Sequence, residues 1–341
     1  MIKQRSLGRT GLNVSELCLG TMHFGWKTDE GTSFAIMDAF HAAGGNFLQA
    51  AAVTPQFSLP SISTTLAEEV VGRWHQSRRI PRRDLVLATR LNLRLPRELG
   101  LDVRNVVRES VAASLQRLKV DYLDLLVVEW NEELLPKERL LDAFNAVVRD
   151  CSVRYVGVAN FPAWRVVDCI ALAFQRNAAR METVQGDYSL MTRARYEPET
   201  MALCHEHRLG FVASSPLAGG FLVGRARASG SADWSRRKWI LDRFQNTYGD
   251  AARAAVAGVA ARHDASPGQI ALAWVLNNPT VSSAMIGVRS EVELHELVTA
   301  GEIALTSRDL RELAEATALE EVRIAHPPLL PKRRRAEALT V

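Results

Sequence analysis

Runs of strand length alternate with runs of helical period along almost the whole chain, and few folds accept that order. The pattern is clearest over residues 44–54. Asn46, Phe47 and Leu48 follow a Gly-Gly turn as a compact, apolar-rich run, and Gln49 is the first side chain expected to leave the core. Residues 85–88 lead in the same way into Thr89 and Arg90, and residues 125–128 into Glu129 and Trp130. If these strands are parallel neighbours, Gln49, Arg90 and Glu129 gather on one rim.

Further apolar runs at 17–20, 155–158, 183–185, 210–214 and 281–286 bring the expected strands to eight. The run at 125–128 is nearly continuous in apolar residues, as a strand buried on both faces should be. Helices are expected at 33–43, 64–75, 106–119, 140–148, 164–175, 197–207 and 290–300. The one at 106–119 places Val107, Val111, Leu115 and Leu118 on a single face. Another opens at Ser266, where Pro267 and Gln269 complete a capping-box signal. Residues 2–14, with Gly8 and Gly11 at the turns, read as a small hairpin in front of the first internal strand.

Eight strands, each followed by a helix and with no Pro- or Ser-rich linker between them, predict an α/β fold of one domain over residues 1–341. The expected architecture is a (β/α)8 TIM barrel with an N-terminal β-hairpin and an extra C-terminal helix. No G-x-G-x-x-G follows the first strand, which speaks against a doubly wound dinucleotide-binding domain. In a barrel, chemistry belongs at the C-terminal ends of the strands. Gln49, Thr54, Arg90, Glu129, Asn160, Gln185 and Ser215 fall there.

Composition narrows the function classes by exclusion. A length of 341 residues with 47% hydrophobic content allows one large core, and 42 Lys and Arg against 38 Asp and Glu give no reason to expect nucleic acid. Cys18, Cys151, Cys169 and Cys204 are widely spaced without a C-x-x-C pair, and no His cluster has metal-ligand spacing. The chain opens Met-Ile-Lys-Gln-Arg-Ser, without an apolar signal core, and has no uncharged apolar run of membrane-spanning length. A cytoplasmic protein acting on a small molecule, with no membrane partner and no structural metal, is the expectation. Residues 326–341 read as a flexible basic tail. Residues 225–250 read as a long basic loop carrying Arg225, Arg227, Arg236, Arg237, Lys238 and Arg243, either a closing belt over a ligand groove or a solvated segment. Trp234 and Trp239 in that segment either cover a ligand or pack the loop down.

Five motifs in order carry a family resemblance. Leu7-Gly8-Arg9-Thr10-Gly11-Leu12, Leu19-Gly20-Thr21-Met22, Gly157-Val158-Ala159-Asn160-Phe161, Ser215-Pro216-Leu217 and Ile286-Gly287-Val288-Arg289 resemble the aldo-keto reductases over nearly the whole chain. The segment Asn160-Phe161-Pro162-Ala163-Trp164 further resembles bacterial members that act on nucleotide-linked deoxyhexoses and other secondary metabolites, antibiotic biosynthesis included. The resemblance implies carbonyl reduction with NADPH by an Asp, Tyr, Lys and His tetrad in which Tyr gives the proton. Motif by motif, this chain carries Gln49 for Asp, Thr54 for Tyr, Arg90 for Lys and Glu129 for His. The usual tetrad is degenerate at all four positions.

The replacements change the available acid–base chemistry. An unperturbed Tyr titrates near about 10, and a neighbouring Lys brings it into working range, whereas the aliphatic hydroxyl of Thr54 is far less acidic. Arg90 can donate hydrogen bonds to an oxyanion but does not give up its proton. Glu129 has two possible environments: without a partner, burial pushes it toward a neutral acid, and beside Arg90 it stays ionised. Glutamate at this position also resembles the steroid 5β-reductases, which reduce an enone. His23, just past the first strand, is a substitute proton donor or a loop histidine.

For the cofactor, the resemblance implies that Asn160 and Gln185 hold the nicotinamide carboxamide, with Ala159 in place of the usual Ser. Gly20, Thr21 and Met22 fall beside the same pocket. Ser214 stands where many relatives stack an aromatic, and Ser215, Pro216, Leu217 and Gly219 match the pyrophosphate cradle. Gly287, Arg289, Glu293 and Glu296 match the adenosine end, where Arg289 is placed for a 2′-phosphate and Leu297 replaces an Asn. Three readings follow: an NADPH-dependent oxidoreductase with an atypical site, acting on a sugar-derived or secondary-metabolite carbonyl or enone; an isomerase, dehydratase or cyclase using Glu129 and Arg90; and a catalytically silent cofactor-binding protein.

Overall fold

Strands buried on both faces leave no edge exposed when the sheet closes on itself, and that is the arrangement here. A computed structural model describes residues 1–53, 65–93, 102–130, 136–224, 240 and 242–318. The first two strands, β1 (Gln4–Ser6) and β2 (Asn13–Ser15), form an antiparallel hairpin. The barrel then runs β3 (Leu17–Gly20), β4 (Phe47–Val53), β5 (Val86–Asn92), β6 (Leu123–Glu129), β7 (Val153–Ala159), β8 (Met181–Asp187), β9 (Gly210–Ser214) and β10 (Val281–Ile286). All eight are parallel, and β10 closes the ring by pairing with β3 through Met285 and Cys18.

Helices return the chain from each strand top to the next strand bottom. They are α1 (Glu30–Ala42), α2 (Thr65–Arg78), α3 (Val103–Leu118), α4 (Lys137–Arg149), α5 (Ala163–Gln175), α6 (Thr200–His207), α7 (Thr247–Arg262), α8 (Pro267–Leu276), α9 (Glu291–Val298) and the extra C-terminal α10 (Ser307–Ala316). The capping box at Ser266 is present, with Ser266 and Gln269 each bonded to the other's backbone N–H. No helix among the described residues is long and apolar enough to cross a membrane.

The period of two along each strand sorts side chains into two cores. Outward residues pack against the helices, while Cys18, Phe47, Ala88, Leu125, Val127 and Val212 fill the barrel interior above Leu7, Leu12 and Val14 of the hairpin segment. That segment is the floor of the barrel. A Cβ at Gly8, which has φ +56°, would meet the Gly210 nitrogen at 2.4 Å, so only glycine lets the loop press against the start of β9. Tyr155, pointing inward from β7, donates its hydroxyl to the Thr10 carbonyl and ties floor to wall. Arg5 bonds Glu16 at 2.8 Å together with the carbonyls of Val281 and Leu276, which latches the hairpin to the entry of β10.

Three expectations change. Gln49 does not leave the core: β4 continues through Ala50, Ala51, Ala52 and Val53, and Gln49 sits within the strand, 5% exposed. The apolar run after Gln49 keeps the strand paired, with Gln49 opposite Ala88 and Ala51 opposite Arg90. The stretch 225–250 is not loop to its end, since Asn246 caps α7 by accepting from the Gly249 N–H and the helix starts at Thr247. Third, the helix expected at 197–207 begins at Thr200, after the short 3-10 turn Arg193–Arg195. Residues 225–239 and the tail at 326–341 lie outside the described residues.

Gly157 shows how full the interior is. A Cβ there would meet the Thr183 hydroxyl at 1.9 Å, whereas one at Gly186 would make ordinary contact with Phe211 at 3.6 Å. Gly157→Ala is therefore expected to cost about 1–3 kcal/mol, the usual range for overpacking. Gly186→Ala is expected to be close to neutral, and denaturant unfolding of the two variants checks the difference.

Candidate active site

The inward-facing side chains nearest the strand tops form the site. Arg90 stands opposite Val127 in the β5–β6 register, and Glu129 lies two residues further along β6. This offset lets the Arg90 guanidinium reach up to the Glu129 carboxylate, and the two form an ion pair. Arg90 is 35% exposed and Glu129 13%, so the pair is half sheltered from water. Glu129 also accepts the Asn160 side-chain N–H at 2.7 Å. Of the two environments considered for Glu129, the paired one is present.

Asn160 takes the left-handed conformation, φ +58°, as the chain leaves β7. Asn is among the few non-glycine residues that adopt it readily. Its backbone N–H donates to the Gln185 carbonyl at 2.8 Å, so the turn is fastened to the neighbouring strand. Trp130, just past β6, packs edge-on against Phe161 at 4.9 Å between ring centroids and gives the rim an apolar wall beside Asn160.

Gln49 joins a different partner. Its Nε2 donates to Gln185 Oε1 at 3.0 Å, and Gln185 Nε2 points to Met285 Sδ at 3.5 Å. Gln49 Oε1 is buried with no hydrogen-bond partner among the described residues. Thr21 fixes the backbone beneath, its N–H donating to the Gln49 carbonyl at 3.0 Å. The three positions expected on one rim all face the barrel interior, but Arg90 and Glu129 form one pair while Gln49, lower in its strand, turns to Gln185. Thr54 lies outside the described residues. Met22 is exposed at the rim, and a Cβ at Gly20 would meet Met285 Cγ at 3.3 Å. The His23 carbonyl accepts from the N–H groups of Lys27 and Thr28, and its ring lies 6.1 Å from that of Trp26.

Beyond β9 the backbone turns sharply. Ser215, Ala218 and Gly219 all have positive φ, and Ala218 N–H bonds back to the Ser215 carbonyl at 2.8 Å. Ser214 ends β9, with its carbonyl accepting from Tyr188 N–H, and Pro216 and Leu217 lie inside the turn. A Cβ at Gly219 would meet Ile240 at 2.6 Å, so the long segment after this turn packs on it. Arg243, the one cation of the expected basic belt that is described, lies 4.9 Å over the Phe244 ring, and burial holds its pKa below the usual arginine range.

Past β10, Gly287 has open space where a Cβ would stand. Arg289 is 62% exposed, and its guanidinium lies 3.4 Å from Glu293, which also accepts the Arg289 backbone N–H. Glu296 is committed elsewhere, accepting the Ser266 hydroxyl at 2.6 Å and so helping to hold the start of α8. A groove of about 1150 Å³ lined by Trp164, Met201, His205 and Thr280 runs over the outer helices, and none of the candidate residues lines it. The chemistry-bearing groups are at the rim.

Sequence reasoning missed the Gln49–Gln185 contact because those strands are far apart in order, and no local signal marks a bond across the barrel. It also missed the structural use of Glu296. The available signal was the capping box itself, whose Ser266 hydroxyl had to find an acceptor.

Comparison with known proteins agrees with the geometry. Residues 16–318 match the Aldo/keto reductase family. The chain is 32% identical to "Uncharacterized oxidoreductase YrpG" of Bacillus subtilis, over 90% of this chain and 93% of that protein. It is 30% identical to "Protein tas" of Escherichia coli, over 92% and 96%, and 30% identical to "Norsolorinic acid reductase" of Aspergillus flavus, over 90% and 78%.

Removing one member of a sheltered ion pair leaves the other uncompensated, which costs more than removing both. The effects of Arg90→Met and Glu129→Met are expected to sum to more than the effect of the double variant, with a coupling of roughly 0.5–3 kcal/mol in a double-mutant cycle. Chemical unfolding of the four proteins measures it.

Proposed function

The chain belongs to the aldo/keto reductase family, and from that premise we propose an NADPH-dependent oxidoreductase with an atypical site, acting on a sugar-derived or other secondary-metabolite carbonyl or enone. The observation that carries this reading is the pair of amide side chains, Asn160 and Gln185, on neighbouring strand tops, with Asn160 bonded to the carboxylate that pairs with Arg90. The residues fit a nicotinamide dinucleotide. The turn at Ser215–Gly219 has the left-handed residues that bring backbone close to a phosphate, and Arg289 stands exposed past β10.

The cofactor, when bound, supplies hydride. Arg90 is the group able to stabilise negative charge growing on a substrate oxygen, and Glu129 keeps its guanidinium oriented. Neither a guanidinium nor a paired carboxylate gives up a proton readily. The proton then comes from His23 or from water, and water suits an enone because its reduction passes through an enolate that solvent can protonate. The wall made by Trp130 and Phe161 favours a substrate with a flat or apolar face. The three relatives' names, two of them an oxidoreductase and a reductase, support the reaction class.

A second reading has one observation in its favour. Asn160, Glu129 and Arg90 satisfy one another, which is what a silent cofactor-binding protein would require. Fluorescence titration with NADPH, NADP⁺ and NADH, followed by assays on enones and keto-sugars, separates the readings. NADPH binding with turnover is the expected result, and Arg90→Gln should lower kcat about 100-fold, as for loss of one oxyanion donor. Binding without turnover on any substrate would support the silent reading, and absence of binding by every nicotinamide form would remove both.

A further inference from the structure

Both amides assigned to the carboxamide are held, and each is held by a residue at a replaced tetrad position. Gln49 bonds Gln185 at 3.0 Å and Glu129 bonds Asn160 at 2.7 Å. The first bond crosses the barrel, because β4 and β8 have three strands between them in either direction around the ring. Gln49 is 5% exposed and Gln185 2%, so this contact forms away from water, where a hydrogen bond is hard to exchange.

An unconstrained amide presents either of two similar ends, and Asn160 does not have that freedom. Glu129 faces the Arg90 guanidinium with one oxygen and accepts from Asn160 with the other, so Asn160 turns its NH₂ to it. That leaves Asn160 Oδ1 as the end facing away. Gln185 directs its NH₂ toward Met285 sulfur, a weak acceptor, and its Oε1 toward the Gln49 NH₂. Gln185 therefore offers a donor that a better acceptor can claim. One acceptor and one donor are the complement of a carboxamide, which carries one NH₂ and one carbonyl.

We propose that Gln49 and Glu129, the latter locked by Arg90, are positioning residues that set the hydrogen-bonding sense of Gln185 and Asn160, so that the pair reads the nicotinamide carboxamide in one orientation. Positions that serve acid–base chemistry in the family resemblance serve cofactor orientation here. The inference rests on the cofactor reading given above and extends it to residues that do not touch the cofactor.

Two analogues test the two amides separately. The 3-acetylpyridine analogue of NADP⁺ keeps the carbonyl but lacks the NH₂ that Asn160 Oδ1 would accept from. The thionicotinamide analogue keeps the NH₂ but weakens the acceptor that Gln185 would donate to. Wild-type protein should bind each analogue about tenfold more weakly than NADP⁺, the effect of one poorly satisfied buried group. Glu129→Gln lets Asn160 turn and should reduce the acetylpyridine penalty to threefold or less, leaving the thionicotinamide penalty in place. Gln49→Met should do the reverse. Affinity for 2′-phospho-ADP-ribose, which has no nicotinamide, should match wild type in both variants and shows that the remaining groove is intact. Penalties unchanged in both variants, or reduced together in both, would overturn the proposal. If the wild-type protein binds 2′-phospho-ADP-ribose and NADP⁺ equally, the carboxamide is not read at all and the proposal fails while dinucleotide binding stands. If it binds neither, the cofactor reading fails first and takes the proposal with it.

Discussion

Closure of the barrel is the constraint on which the site depends. Parallel pairing from β3 round to β10 and back fixes the height of every inward side chain relative to its neighbours. An open sheet would still place Arg90 near Glu129, because β5 and β6 are adjacent. It would not bring Gln49 to Gln185, whose strands meet only through the lumen. The contact also needs the layers beneath to be solid. Phe47, Leu125 and Val127 fill the interior, Tyr155 ties it to the floor, and Gly157 yields its volume to Thr183. The rim is precise because the layers beneath it cannot settle.

The residues at the positions that the resemblance matches to the tetrad make sense as a set rather than singly. A sheltered cation needs an anion, and if position 49 is the neutral Gln49, the counter-charge for Arg90 must come from elsewhere. Glu129 supplies it from the adjacent strand. Had position 49 been acidic as well, two carboxylates would compete for one guanidinium and one would be driven toward protonation. As built, one cation faces one anion, and Gln49 is released to make a neutral bond across the barrel. The same logic accounts for Asn160, since a carboxylate with oxygen to spare beyond the guanidinium takes a further donor.

The fold was legible from the sequence because its signals are local. Strand and helix runs, the hairpin glycines and the Ser266 capping box each depend on a few adjacent residues, and they fixed order and architecture without knowledge of any long-range contact. Element ends were less legible. Gln49 reads as the end of an apolar run, yet the alanines after it continue the strand, because alanine is small and weakly patterned and its pairing with β5 is decided by the partner strand. The helix from Thr247 was hidden by the basic residues upstream, although Asn246 is a good cap. The rim residues were legible as a set by their position at strand tops, whereas their pairings were not. Whether Glu129 meets Arg90 or stays alone depends on a two-residue offset between neighbouring strands, and composition does not encode that.

The two ends of the groove assigned to the cofactor differ in how far they are prepared. At the nicotinamide end both amides are already bonded, and their orientation cost has been met during folding. At the adenosine end Arg289 is largely exposed and its guanidinium is 3.4 Å from Glu293, a contact that water screens and a phosphate can replace. Glu296 adds little freedom there, since it is occupied by Ser266. An exposed arginine supplies attraction over several ångströms with little demand on geometry, while fixed amides supply geometry with little reach. On the proposed reading the phosphate end would capture the dinucleotide, and the rim would then determine whether its carboxamide is seated in the one sense that the hydrogen bonds permit.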